Sequence, residues 1–307
     1  MRNSSKELLK RLRGEFDADM PNLAVSVDRV GASAIELAGV IQSSFVEFVL
    51  LCLSPPEAFR RHSALGFFHA DAAVFSRHAL REALCGYYGA AGTLLRGAFE
   101  AVIRGAFWEC LSHKGFRQTA EVLRSRTQKI EGKRRNILNW FDDIIEARPG
   151  VEAELEHASG AIFDKVGVLF KDKNLRRVLP SLRTMIDQLS AWKLFEEMSD
   201  PVGKLYDELY SSLSEQAHVI PDETLMGRRL IAGKDVAMFI DPSPDEFNAF
   251  LSSLTQTADV GMLVVLNLLQ NDLHENPELI AKVAAKLADL EDSPLLNMAR
   301  RTQSLRL

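Results

Sequence analysis

The stretch "TLLRGAFEAVIRGAFW" (residues 93–108) has the apolar content of a core helix, yet Arg96, Glu100 and Arg104 recur through it at intervals of four. On an α-helix, positions four apart lie one above the other, so these side chains form a basic–acidic–basic ladder on one face. Beside it runs a row of small residues, Gly97, Ala101 and Gly105, with Gly89 and Gly92 extending the small surface toward the N-terminus. A glycine inside a helix costs about 1 kcal/mol relative to alanine, so such a row implies that another backbone passes close by. The remaining face, Leu95, Phe99, Val102, Ile103, Ala106 and Phe107, is core. A helix with protein on most sides carries a charged row at a cost unless the charges are paired or wet. Three arrangements meet that condition. The ladder is an internal ion-pair network fixing helix register, or a cavity where Arg96 or Arg104 meets an anion while Glu100 orients the guanidinium, or a solvated stripe. Arginine suits the second because its planar fork matches phosphate or carboxylate oxygens.

Working outward, apolar residues follow a period near that of a helix almost everywhere, as in Phe247, Phe250, Leu251, Leu254, Ala258, Met262 and Leu266. Helices are predicted over about residues 3–15, 22–53, 55–80, 82–113, 115–145, 150–170, 174–198, 201–219, 244–272 and 276–290. Several starts pair a capping residue with an early proline: "SPPE" from Ser54, "SDPVGKL" from Ser199, "SPDE" from Ser243 and "NPELIAKV" from Asn276. Only "GRRLIAGKDVAMFID" (227–241) has a β character, read as a short hairpin or an ordered loop. The chain therefore reads as all-α, a single helical bundle with peripheral helices over residues 1–307 and no interdomain linker.

Composition narrows the classes. With 307 residues, 47% of them hydrophobic and 26% charged, the chain has ample material for a packed core. A formal net charge of −5 argues against a surface coated for nucleic acid, though not against a local basic groove. Cys52, Cys85 and Cys110 sit in apolar helical surroundings at no metal-like spacing, as expected of a reduced, cytoplasmic protein. The charged start "MRNSSKELLKRLRGEF" lacks the apolar core of a signal peptide. The run "ASAIELAGVIQSSFVEFVLLCL" (32–53) is long enough to span a bilayer, but Glu36, Gln42 and Glu47 interrupt it, and no membrane association is expected.

A second stretch, "YDELYSSLSEQAHVIPDET" (206–224), places Ser214 and His218 four apart on a helix that Pro221 must end. A histidine in a final helical turn is favoured in its protonated form and remains reachable, so His218 is a candidate general acid or base. The plainer alternative is that it caps the last carbonyls.

Together the two stretches resemble a widespread family of uncharacterised prokaryotic helical proteins with an "LLR-x-x-x-E" helix followed by an "LSE-x-x-H" helix end. The matching residues are Leu94, Leu95, Arg96 and Glu100, then Leu213, Ser214, Glu215 and His218. That family looks related to the HEPN (higher eukaryotes and prokaryotes nucleotide-binding) bundles, many of them dimeric, metal-independent ribonucleases of defence and toxin systems. The resemblance implies a HEPN-like core over about residues 75–220, with N-terminal helices 1–74 and C-terminal helices 244–290 packed on it. It further implies that Arg96 contacts phosphate, that Glu100 holds Arg96 in place and that His218 acts as general acid or base; Arg104 and Ser214 are further candidate ligand-binding residues. The chain departs from the active nucleases in one respect: these carry a histidine four to six residues after an arginine on one helix, and none of the seven histidines here does. Either the two residues come from separate helices or the cleavage activity is absent. A homodimer is expected, through the glycine-lined face or a neighbouring helix.

Other stretches of the chain offer rival chemistries. Residues 114–137 hold eight basic residues, among them Arg124, Arg126, Arg134 and Arg135, against Glu121 and Glu131, and residues 171–183 add Lys171, Lys173, Arg176, Arg177 and Arg183. Such clustering suits an RNA track by counterion release, or else a solvated helix face; little aromatic interleaving disfavours a dedicated single-strand binder. The Glu-x-x-His pairs Glu154/His157 and Glu215/His218 permit a di-iron arrangement, with Glu36, Glu47 and Glu100 as bridging carboxylates, but no metal or other cofactor is expected. His62, His69 and His78 read as polar spots on an amphipathic helix. The expectation is thus a protein that binds a nucleotide or RNA phosphate, with cleavage as a further step. The opposing expectation is a non-enzymatic interaction module whose ladder is structural.

Overall fold

A computed structural model of the chain describes residues 20–52, 63–113, 121, 124–125, 180–196, 198–217, 242–269, 278 and 281–283. Among these every regular element is helical: α1 (Met20–Val30), α2 (Ala32–Cys52), α3 (Ser63–Leu84), α4 (Tyr88–His113), α5 (Leu182–Ala191), a π-helical segment (Gly203–Tyr210), α6 (Ser211–Ala217) and α7 (Pro244–Leu268). The predicted hairpin at 227–241 and the helix starts at Ser54 and Asn276 lie outside the described residues.

Two glycines break the helices where their periodicity runs on. The single helix expected over 22–53 divides at Gly31, whose φ of 92° is left-handed. The break expected near residue 81 falls instead at Gly86, with φ 84°. There Tyr87 N–H donates to Glu82 O at 2.9 Å and Gly86 N–H to Ala83 O at 3.0 Å, the paired bonds that close a helix over a glycine. The Ser243 start is as expected: its extended backbone and its side chain, accepting from Glu246 N, cap α7 behind Pro244. At the 199–203 start the cap is Asp200, whose Oδ1 accepts from Gly203 N at 3.0 Å.

The short turn at Gly86 folds α3 back antiparallel on α4, with Phe75 over Gly97 and Phe68 over Gly105. At Gly97 and Gly105 the small-residue face of α4 is thus covered by a helix of the same chain, while Gly89 stays exposed. Large side chains fill the space on the other side: Phe99, Phe107 and Trp108 from α4, Phe45 and Phe48 from α2, Phe195, and Phe247 from α7, all fully buried. Phe107 stacks on Trp192 at 5.7 Å between ring centres. Helix α7 runs through this core, its residues Val260 and Met262 to Val265 sealed from solvent. Long-range hydrogen bonds pin the helix ends: Tyr88 Oη donates to Ser243 O and accepts from Ser243 N, both at 3.1 Å. Ser26 donates to Leu84 O at 2.6 Å, and Glu109 accepts the Leu65 N–H in the first turn of α3 at 2.9 Å.

Helices α2 and α7 are each long and apolar enough to cross a membrane by length and composition alone. Most of α7 is inside the protein. The outward stripe of α2 carries Glu36, Ser43 and Glu47 along with Val40 and Leu50.

His69 corrects the expectation of a polar spot on an amphipathic helix, since it is wholly buried while His78 is exposed. Its ring nitrogens lie beside two carbonyls, Leu65 O at 3.1 Å from Nδ1 and Gly261 O at 3.3 Å from Nε2, and the neutral ring donates its single N–H to one of them. The second joins α3 to α7. Burial pushes the imidazole pKa down to about 4, against the opposing pull of these carbonyls and of Glu109. Between roughly pH 6.5 and 4, therefore, the unfolded chain holds a proton at this position that the folded chain does not, and stability falls as the pH falls. Denaturant melts across that window are expected to show an acid-dependent loss on the order of 3 kcal/mol that His69→Gln lacks.

The helix seam generates a second expectation. A methyl group at Gly105 would stand 2.7 Å from Phe68 Cβ, whereas one at Gly97 would meet the Phe75 ring at an ordinary 3.5 Å. Gly105→Ala is expected to cost about 1–3 kcal/mol in urea melts. Gly97→Ala is expected to change stability by less than about 1 kcal/mol, in the favourable direction set by helix propensity.

Candidate functional site

The charged row of α4 faces the segment 203–217. Glu100 is shared: Oε1 accepts from Arg96 Nε at 3.0 Å, and Oε2 forms an ion pair with Arg104 Nη2 at 2.7 Å. The side chains keep 27%, 16% and 37% exposure for Arg96, Glu100 and Arg104, so the ladder lies at the boundary between core and water. Tyr210 closes it. Arg96 Nη2 donates to the Tyr210 hydroxyl at 2.7 Å, and that hydroxyl donates to Glu100 Oε1 at 3.1 Å. Arg96 Cζ lies 4.8 Å from the Tyr210 ring centre, adding a cation–π contact.

The electrostatics follow from this closed triangle. Partial burial works against the Arg96 charge, but the Tyr210 oxygen and the Glu100 carboxylate more than offset it and hold the guanidinium above its ordinary range. Burial and then the Glu100 charge push the Tyr210 phenol upward against the pull of Arg96, so the hydroxyl stays protonated and remains a donor. Two guanidinium charges against one carboxylate leave a surplus of positive charge. The other N–H groups of Arg96 have no partner among the described residues.

Tyr210 owes its position to the π-helical segment. Gly203–Tyr210 closes i→i+5 bonds, so the turns are wider than α-helical, and Leu205 and Leu209 face the core. On the other side Tyr206 stacks on Tyr210, with ring centres 5.2 Å apart and planes inclined by 22°. Arg183 of α5 lies 5.5 Å from the Tyr206 ring centre and pairs with Asp207 at 3.2 Å. Phe99 meets Tyr210 from within the core, its ring centre 6.3 Å away.

Of the residues singled out from the sequence, the fold brings together Arg96, Glu100 and Arg104. Ser214 lies one turn beyond Tyr210 and donates to the Tyr210 carbonyl at 2.7 Å, so its hydroxyl proton is spent on backbone. Arg124 is half-buried; His218, Arg126, Arg134 and Arg135 lie outside the described residues, as do Glu154 and His157. Glu36 and Glu47 are exposed on α2, and among the described residues no three His, Cys, Asp or Glu side chains are placed to hold a metal ion. Sequence reading missed Tyr206, Tyr210 and the role of Arg183. The signal was present, because the two tyrosines stand four apart in the same quoted stretch that supplied Ser214 and His218.

No protein-family model, no curated protein and no solved structure matches the chain. The likeness to HEPN bundles accordingly stands on its motif residues alone.

Tyr210→Phe removes one hydroxyl that both accepts from Arg96 and donates to Glu100 while keeping the ring. Thermal and urea melts are expected to show a loss of about 1–2 kcal/mol, the range for hydrogen bonds to charged groups discounted for partial exposure.

Proposed function

We propose that the Arg96–Glu100–Arg104 row binds the phosphate of a nucleotide or of RNA. The observation that carries this reading is the single carboxylate divided between two arginines on a strip that still meets water. Glu100 and Tyr210 fix the Arg96 guanidinium in one orientation, which lowers the entropy lost when it binds an anion. Arg104 has Glu100 as its one charged partner among the described residues and is the more exposed of the two, so it is the group best able to turn to a ligand. The resemblance to HEPN bundles and the basic composition of residues 114–137 favour a nucleotide or RNA over other anions. Cleavage of RNA would further require His218 as general acid or base.

A second reading, a purely structural clamp in a non-enzymatic module, is favoured by one fact: Arg96 already bonds Tyr210 across more than a hundred residues of chain. The two separate at Arg104. If the row binds phosphate, Arg104→Gln lowers affinity for a short RNA in fluorescence anisotropy roughly tenfold. It also reduces the salt dependence by about one counterion and leaves the melting temperature within a degree or two. If the row is only a clamp, RNA and nucleotides leave the wild-type melting curve where it was, and Arg96→Ala costs about 1–2 kcal/mol for its lost bonds to Glu100 and Tyr210, with Arg104 still pairing Glu100. For cleavage, His218→Ala must abolish RNA degradation with RNA binding unchanged; retained degradation rejects that role.

A further inference from the structure

Arg104 and Arg96, joined through Glu100, lead by way of the stacked rings of Tyr210 and Tyr206 to Arg183, an array running from α4 through the π-helical segment to α5. From this array we infer that the ligand carries a nucleobase joined to its phosphate, and that the base stacks on Tyr206 beneath Arg183 while the phosphate meets Arg96 and Arg104. The inference rests on the phosphate reading above and adds the base.

Each part of the array has a physical reason. Tyr210 is fixed by its bonds to Arg96 and Glu100 and backed by Phe99, so it makes a rigid floor for Tyr206. Tyr206 is half-buried, packed in part against the core and stacked on Tyr210, and its hydroxyl has no hydrogen bond among the described residues. The group over it is not fixed. Arg183 and Asp207 are 57% and 51% exposed, and an ion pair in that setting contributes little, so the guanidinium can swing aside or close over an incoming ring. A base held between a tyrosine and a guanidinium plane is a mode open to every nucleobase, since each has a π-face. Alternating cations and rings are also what a single strand needs in order to place successive phosphates and bases. The chemistry is shared by a free nucleotide and by a residue within a strand.

Four probes decide it with the full chain by calorimetry or anisotropy: adenosine 5′-monophosphate, ribose 5-phosphate, an eight-residue oligoadenylate, and the same oligomer without bases. The wild type is expected to bind each base-bearing probe roughly tenfold more tightly than its base-free counterpart. Tyr206→Leu, which keeps the apolar bulk, is expected to erase that tenfold advantage and leave the base-free probes unchanged. Should that variant fail to fold, Arg183→Gln on the exposed side decides by the same criterion. Where the base advantage is present and Tyr206→Leu removes it, tighter binding of the oligoadenylate than of the monophosphate assigns the site to a strand and the reverse order to a free nucleotide; either supports the inference. Equal affinity for base-bearing and base-free probes, or a base preference that survives the substitution, overturns the inference and leaves the phosphate reading standing. Binding of none of the four overturns both.

Discussion

The contact on which the arrangement depends is the close passage of α3 across the glycine row of α4. Because Gly105 has no side chain, Phe68 can lie where a Cβ would otherwise stand, and the two helices meet almost backbone to backbone. That seam occupies one side of α4, and Phe99, Phe107 and Trp108 commit the opposite side to the core. Only a strip between them reaches solvent, and Arg96, Glu100 and Arg104 occupy it. Their position is thus a consequence of packing on both flanks, and the segment 203–217 then covers the strip in part.

Two carboxylates on the same helix show how narrow that strip is. Glu109, less than three turns beyond Glu100, is sealed from water and spends one oxygen on the Leu65 N–H at the start of α3. Glu100 keeps some exposure, and each of its oxygens pairs with an arginine. A fully buried ion triad often costs more in lost hydration than it returns in attraction. At the boundary the hydration is only partly lost, so the ladder can persist with a net positive charge that a sealed interior would not tolerate.

How much of this could be read from the residues alone divides along a physical line. The ladder and the glycine row were legible because both depend only on helical spacing within one segment. The Ser243 cap was legible because a capping serine, an early proline and an acidic residue act within one turn. The breaks at Gly31 and Gly86 were not, since glycine is tolerated inside helices, and nothing local distinguishes these two from Gly97 or Gly105, which stay helical. His69 was misread for a different reason: its partner carbonyl on Gly261 belongs to a helix nearly two hundred residues away. Tyr210 escaped notice in the same way, because its bonds to Arg96 and Glu100 join segments more than a hundred residues apart.

The π-helical segment adds a constraint of its own. Wider turns satisfy fewer close backbone contacts than an α-helix, and such segments persist where surrounding structure holds them. Here the holding is visible at both ends. Asp200 adopts a left-handed φ of 52° and ties the Gly203 N–H, and a side chain at Gly203 would have to push that carboxylate aside. Leu205 and Leu209 anchor the inner face, and Tyr210 is tied by Arg96. The outer face, by contrast, carries Tyr206, stacked on Tyr210 and packed in part against the core, under the exposed Arg183. Rigidity is therefore concentrated at the Arg96–Glu100–Tyr210 triangle and freedom at Arg183. That division matches what recognition of a mixed ligand demands: a fixed anchor for the charged group and an adjustable cover for the flat one.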